Sequence, residues 1–162
     1  MAATAGVEGV DFSTSPAIVY NAVQSGYVIV DIRSTHARSE GPRLEFAVPY
    51  DPTPEGMESI RDTADDRRVG ILVGSGIDDS DLIAKAASWV RLALGRPSMS
   101  VIYFQKSISD VLQVFPFLSE PSITEQCHPH QIVDGIYLGG ALHCSSVAVF
   151  KNLNIRRVVN AA

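Results

Sequence analysis

Val69-Gly70-Ile71-Leu72-Val73-Gly74-Ser75-Gly76-Ile77-Asp78-Asp79-Ser80 is the stretch whose reading decides the fold. It begins with Val69 to Val73, a strong strand signal. Two glycines and a cluster of Asp and Ser then mark a turn and a helix start. From Ser80 to Leu94 a helix is predicted, with Leu82, Ile83, Ala86, Ala87, Trp89, Val90 and Ala93 on one wide apolar stripe and Gly95 as its stop. The unit is strand, loop, helix.

The flanking segments repeat the alternation. Upstream, Ser13-Thr14-Ser15-Pro16 offers hydroxyl caps and a proline for a first helical position, ahead of a short amphipathic helix that Gly26 ends. Tyr27-Val28-Ile29-Val30-Asp31 reads as a nearly continuous apolar run, of the kind expected for a central strand covered on both faces, with Asp31 and Arg33 at its C-terminal end. Ser34 to Pro54 is predicted to be loop, with a short edge strand at Leu44-Glu45-Phe46-Ala47-Val48 ended by Pro49. Glu55 to Asp65 suits a modest helix. Downstream, Ser100-Val101-Ile102-Tyr103-Phe104 supplies a third strand and Ser107 to Phe115 a helix closed by Pro116. Strands alternating with helices predict an α/β fold: a parallel sheet with helices on both faces, whose sites form at the carboxyl ends of the strands.

Composition narrows the classes of function. The 162 residues are 46% hydrophobic and 19% charged, enough apolar material for one full domain and some length beyond it. A net charge of -5 argues against nucleic acid or an anionic membrane as partner, since both need clustered positive charge. No apolar run approaches the ~20 residues that span a bilayer, and Met1-Ala2-Ala3-Thr4-Ala5-Gly6 lacks the regions of a signal peptide. Two cysteines, Cys127 and Cys144, suit a reducing compartment, so a soluble cytoplasmic protein is expected.

The loop Gly74-Ser75-Gly76-Ile77-Asp78-Asp79-Ser80 has the form of an anion cradle, with backbone amides and a helix start around one point. It holds no cysteine, and no histidine lies in the unit to activate Ser75. Asp78, Asp79 and Asp81 suit the positive end of a helix, read chiefly as caps, and they repel an incoming anion. The third glycine of a dinucleotide fingerprint is missing. No catalytic residue and no cofactor is expected.

Val28-Ile29-Val30-Asp31-Ile32-Arg33 early, Ile71-Leu72-Val73 before a loop and long helix, and Phe115-Pro116 at the close together resemble the rhodanese-like family over about residues 10 to 118. In active members, the residue after the second long strand is a cysteine whose thiolate carries sulfur. Here that place is held by Gly74, or Ser75 one step on, and neither transfers sulfur. The enzyme alternative is a sulfurtransferase or pseudoenzyme acting through another nucleophile. Asp31 and Arg33 match the family, and are read as a pair that orders the loop at the strand end.

After Leu118 the composition changes. Residues 119–130 read as a linker with Pro121 and Pro129, and a second module covers 131–162. Gln131 to Leu138 contains two short strands around an Asp134-Gly135 turn, a hairpin signal. Ser145 to Leu153 is predicted as a helix and Arg157-Val158-Val159-Asn160 as a strand. Pro129 to Ala141, followed by Leu153-Asn154-Ile155-Arg156-Arg157-Val158-Val159-Asn160, looks like the opening of a dual-specificity protein phosphatase domain. A rhodanese-like domain before such an opening resembles the MAP kinase phosphatases, in which that domain also lacks the thiolate and serves docking and regulation. The resemblance implies a fragment, truncated product or pseudoenzyme of a parent phosphatase, and a protein partner such as a protein kinase.

Three further groups have a chemical reading. His143-Cys144 starts like a phosphatase loop, but the glycine and arginine of His-Cys-x-x-Gly-x-x-Arg are Val147 and Phe150, so a small buried thiol is expected. Cys127-His128-Pro129-His130 with His143-Cys144 holds ligand types for zinc at no known finger spacing, so ordinary linker histidines and no metal are expected. Arg67-Arg68 is a candidate kinase-docking pair, its field largely cancelled by Asp65-Asp66. His36, in a polar loop, is expected to be exposed.

Overall fold

The computed structural model describes residues 7–63, 69–76, 78–119 and 128–161. Five strands, β1 (Val10–Ser13), β2 (Val28–Asp31), β3 (Val48–Pro49), β4 (Val69–Gly74) and β5 (Ser100–Ser107), form one sheet in the order β1-β5-β4-β2-β3. Every neighbouring pair is parallel. The helices between them are α1 (Pro16–Gln24), α2 (Thr35–Glu40), α3 (Pro54–Thr63), α4 (Ser80–Ala93) and α5 (Ile108–Val114), with a 3-10 turn at Pro116–Ser119.

Alternation along the strands divides the core in two. Val28, Val30, Leu72, Val101 and Tyr103 face one side, under Ile60 of α3 and Ile83, Ala86, Trp89 and Val90 of α4. Ile29, Ile71, Val73 and Phe104 face the other, against Val19, Tyr20 and Ala22 of α1 and Ile108 and Val111 of α5. β4 lies at the centre, where Ile71, Leu72 and Val73 are wholly buried. This is an α/β fold with helices on both faces of a parallel sheet.

Within this sheet unit three features differ from the expectations. β1 was not anticipated: only Val10 of its four residues is buried, because an edge strand pairs with β5 alone and has little apolar pattern to show. The edge strand beyond β2 is Val48–Pro49 rather than 44–48; Leu44 is buried in the core but outside the ladder. Pro49 has no N–H to donate, and an edge tolerates it. The expected loop after Arg33 contains α2, a helix with no buried residue, started by Ser34 accepting from the Ala37 amide at 3.2 Å.

Beyond the 3-10 turn come β6 (His130–Val133) and β7 (Ile136–Leu138), an antiparallel hairpin, then α6 (Ala141–Cys144) and α7 (Val147–Asn152). Two short helices replace the single one expected from 145 to 153, with Ser146 capping the second. Residues 157–160 lie in no strand. Val149 and Leu153 join the α1/α5 side of the core with Tyr137 and Ile155 packed beside them, so this segment sits on the first five-stranded unit.

Candidate functional site

Because all five strands run the same way, Asp31, Pro49, Gly74 and Ser107 mark one edge of the sheet. The loop after β4 opens there. Its geometry is set by β5: the register shifts after Val73 so that Gly74 pairs with Ser107, and Gly76, at φ +90°, crosses tightly over the β5 backbone. A Cβ on Gly76 would stand 2.9 Å from the Lys106 carbonyl carbon. Only glycine meets both demands.

The three acids of the loop and helix start do three different things. Asp79 is the N-cap of α4 and accepts from the Asp81 amide at 3.1 Å. Asp81 pairs with Lys85 one turn on, at 2.6 Å, and that partner raises the Lys85 pKa. Asp78 turns back into the loop. It accepts from the Ser75 amide and the Ser75 hydroxyl, each at 2.8 Å, and from the Tyr103 hydroxyl of β5 at 2.6 Å. Burial, and then the bond to Asp78, push the Tyr103 phenol well above its ordinary value. Ile77 lies outside the described residues, and Ser80 is the first residue of α4.

Ser75 thus has a carboxylate for its hydroxyl and no imidazole. The four histidines are engaged elsewhere: His36 with Glu40, His130 with Ser25, His143 with the Gly140 amide and His128 with Asn152. The next turn repeats the serine-aspartate arrangement without a glycine pair. Ser107 gives Asp110 its hydroxyl at 2.7 Å and its amide at 2.8 Å, and these bonds, the hydroxyl foremost, lower the Asp110 pKa.

At the end of β2, Asp31 and Arg33 form a bidentate ion pair with contacts of 3.0 Å from Nε to Oδ1 and 2.7 Å from Nη2 to Oδ2. Arg33 also donates to the Pro42 carbonyl at 2.9 Å, tying the strand end to the loop beyond α2. Two further arginines stand beside them. Arg38 donates to the backbone of Asp31 and Arg33, and Arg43 to the Arg38 carbonyl at 2.9 Å. Asp31, Thr35, Arg38, Arg43, Glu45 and Pro49 line a cleft of about 350 Å³. Arg67 and Arg68 lie outside the described residues.

Comparison with known protein families, curated proteins and solved structures finds no match.

The second segment is held by polar side chains of the last turns of α1 and of its C-cap, Ser25. Tyr20 donates to the Pro129 carbonyl, and Asn21 bonds both the N–H and the C=O of Gln131 at 2.8 Å. Gln24 accepts from the His128 amide at 2.9 Å, and Ser25 meets His130 at 2.9 Å. His128 is buried and stacks on Phe117 at 4.9 Å between ring centroids, so the expected linker ends in a docked strap. Cys127 lies outside the described residues, and among those described no group of three or more His, Cys, Asp or Glu could hold a metal. Cys144 is exposed, not buried, because α6 is a single surface turn. Val147 and Phe150 belong to α7 and form no phosphate loop with it. Among the described residues no helix is long and apolar enough to cross a membrane.

Sequence reasoning missed Tyr103, Asn21, Arg38, Arg43 and the burial of His128. Each acts through a partner distant in the chain or through backbone carbonyls, and neither leaves a periodic signal.

Proposed function

We propose that this chain is a non-catalytic docking or regulatory unit: a rhodanese-like domain over residues 10–118 joined to the opening of a dual-specificity protein phosphatase domain. The parent protein removes phosphate from tyrosine and from serine or threonine, and the first unit engages a protein partner such as a protein kinase. One observation carries the non-catalytic part. At the end of the central strand, position 74 has no side chain, and the hydroxyl of the next residue, Ser75, donates to the Asp78 carboxylate. The loop thus offers neither a thiolate nor a serine-histidine pair, the arrangements that make such a nucleophile at neutral pH.

The parallel sheet with helices on both faces suits the family resemblance, and the ion pair at Asp31 and Arg33 falls at the matching strand end. The hairpin and short helices over 130–152 expose Leu138, Leu142 and Val147, and 158–159 expose two valines, the apolar face that the rest of a phosphatase domain would cover. For a docking surface, the cleft beside Arg38 and Arg43 is a candidate, since its arginines are fixed by backbone carbonyls.

The test assays this chain and the parent together. The chain is expected to give no vanadate-sensitive phosphatase turnover and no cyanide-dependent thiocyanate. A longer product carrying the His-Cys-x-x-Gly-x-x-Arg loop is expected to hydrolyse a small phosphoester equally well with or without residues 10–118, while its choice among phosphoproteins changes. Turnover by the chain itself, or a longer product lacking that loop, defeats the proposal.

A further inference from the structure

Gly74 ends β4 in ordinary extended backbone; it is not among the residues with positive φ, so its conformation accepts any side chain. What stands in the way of one is the Asp78 carboxylate, which would have to move. A Cβ on Gly74 would overlap Oδ2 of Asp78 and stand 2.7 Å from the carboxylate carbon. Three donors converge on that same carboxylate, from the Ser75 amide, the Ser75 hydroxyl and the Tyr103 hydroxyl. Tyr103 is 3% exposed and comes from the neighbouring strand, so its hydroxyl is aimed into the loop from a fixed wall. Helix capping does not explain Asp78. Asp79 already caps α4 and Asp81 already serves Lys85.

We propose that the Asp78 carboxylate is the resident anion of this loop, filling the space of a side chain at position 74 and taking the donors an external oxyanion would need. The cradle is closed from within. Asp78 is a positioning residue that gives the loop its bound form without a ligand, and positions 74 and 78 exclude one another: a side chain at 74 needs the carboxylate gone. The inference rests on the loop geometry alone, so it stands or falls apart from the phosphatase reading.

A double-mutant cycle reads the exclusion. With Asp78 present, Gly74→Ala is expected to shift the folding equilibrium about tenfold or more toward the unfolded chain, the usual scale for forcing an overlap in a packed site. In an Asp78→Gly background the same change is expected to be neutral or mildly stabilising, because alanine suits a strand better than glycine. Equal penalties in the two backgrounds overturn the proposal. Chemical rescue supplies a readout that simple packing does not move: sodium formate, against sodium chloride at equal ionic strength, is expected to raise the melting temperature of Asp78→Gly. The wild type and the Asp78→Gly, Tyr103→Phe double variant should not respond to formate in this way. If Asp78→Gly fails to fold alone, formate-dependent refolding is the same readout. Formate and chloride acting alike on Asp78→Gly overturn the proposal.

Discussion

Replacing Arg33 by methionine tests whether the ion pair at the end of β2 holds the adjoining loop. The Asp31 and Arg33 side chains are only 7% and 9% exposed, and the pair is closed by Nε at 3.0 and 3.2 Å and Nη2 at 2.7 Å from the two carboxylate oxygens. Methionine keeps the stem and the backbone amide that reaches Oδ1 at 3.1 Å, but removes every charged donor. A carboxylate stranded at this depth costs about 3–5 kcal/mol. Two unit charges about 4 Å apart at an effective dielectric near 20 interact by about 4 kcal/mol, which agrees in scale. The expected result in urea is a lower midpoint at unchanged slope. A second variant, Arg33→Met with Asp31→Leu, is expected to recover most of the loss, since an apolar pair of similar volume carries no desolvation cost. Loss of the Arg33 bond to Pro42 should also speed amide exchange over residues 38–45. A penalty below about 1 kcal/mol would place the pair with solvated surface bridges and refute its ordering role.

Two further predictions concern the strap and the loop. Asn21→Leu removes both bonds to the Gln131 backbone, each worth about 1–3 kcal/mol when a buried partner is left unsatisfied, so Gln131 amide exchange should rise at least several-fold while β4 amides stay protected. Unchanged exchange at Gln131 would mean that apolar packing alone holds the strap. Tyr103 keeps its proton in the folded chain above the pH at which the unfolded chain releases it, near 10. Its contribution is therefore complete below that pH and is lost as pH rises further, so denaturant midpoints should fall in alkali. Tyr103→Phe should flatten part of that fall, leaving the share of Tyr137, whose pKa burial and then Asp134 also raise. An identical alkaline slope in Tyr103→Phe would contradict the geometry.

What the sequence disclosed follows from where each element sits. β2, β4 and α4 were legible because both faces of a central strand, and the inner stripe of a long helix, must be apolar. The Asp134-Gly135 hairpin was legible from its turn alone, with Gly135 at φ +72°. β1 and α2 were not. β1 contacts one neighbour and carries one buried residue, while α2 is held by its Ser34 cap, by Arg38 and by a 3.3 Å contact of His36 with Glu40. Polar elements of this kind have no period to read. The strand expected at 157–160 shows the converse, an apolar run that finds no ladder because β6 and β7 form a sheet of two.

The loop shows the same limit at the scale of single side chains. From the sequence, Asp78, Asp79 and Asp81 are three acids at a helix start, and the macrodipole favours all three alike. Local spacing explains two of them, since a cap and a one-turn ion pair are short-range contacts. The third accepts from Ser75 close by, and also from Tyr103, 25 residues away, which the parallel pairing of β4 with β5 brings to it. That pairing also changes what Gly74 signifies. Read in sequence, through the rhodanese-like resemblance, the glycine is a missing group. In the fold it is the clearance that lets the Asp78 carboxylate reach the loop amide, so a side chain at 74 and that carboxylate compete for one place.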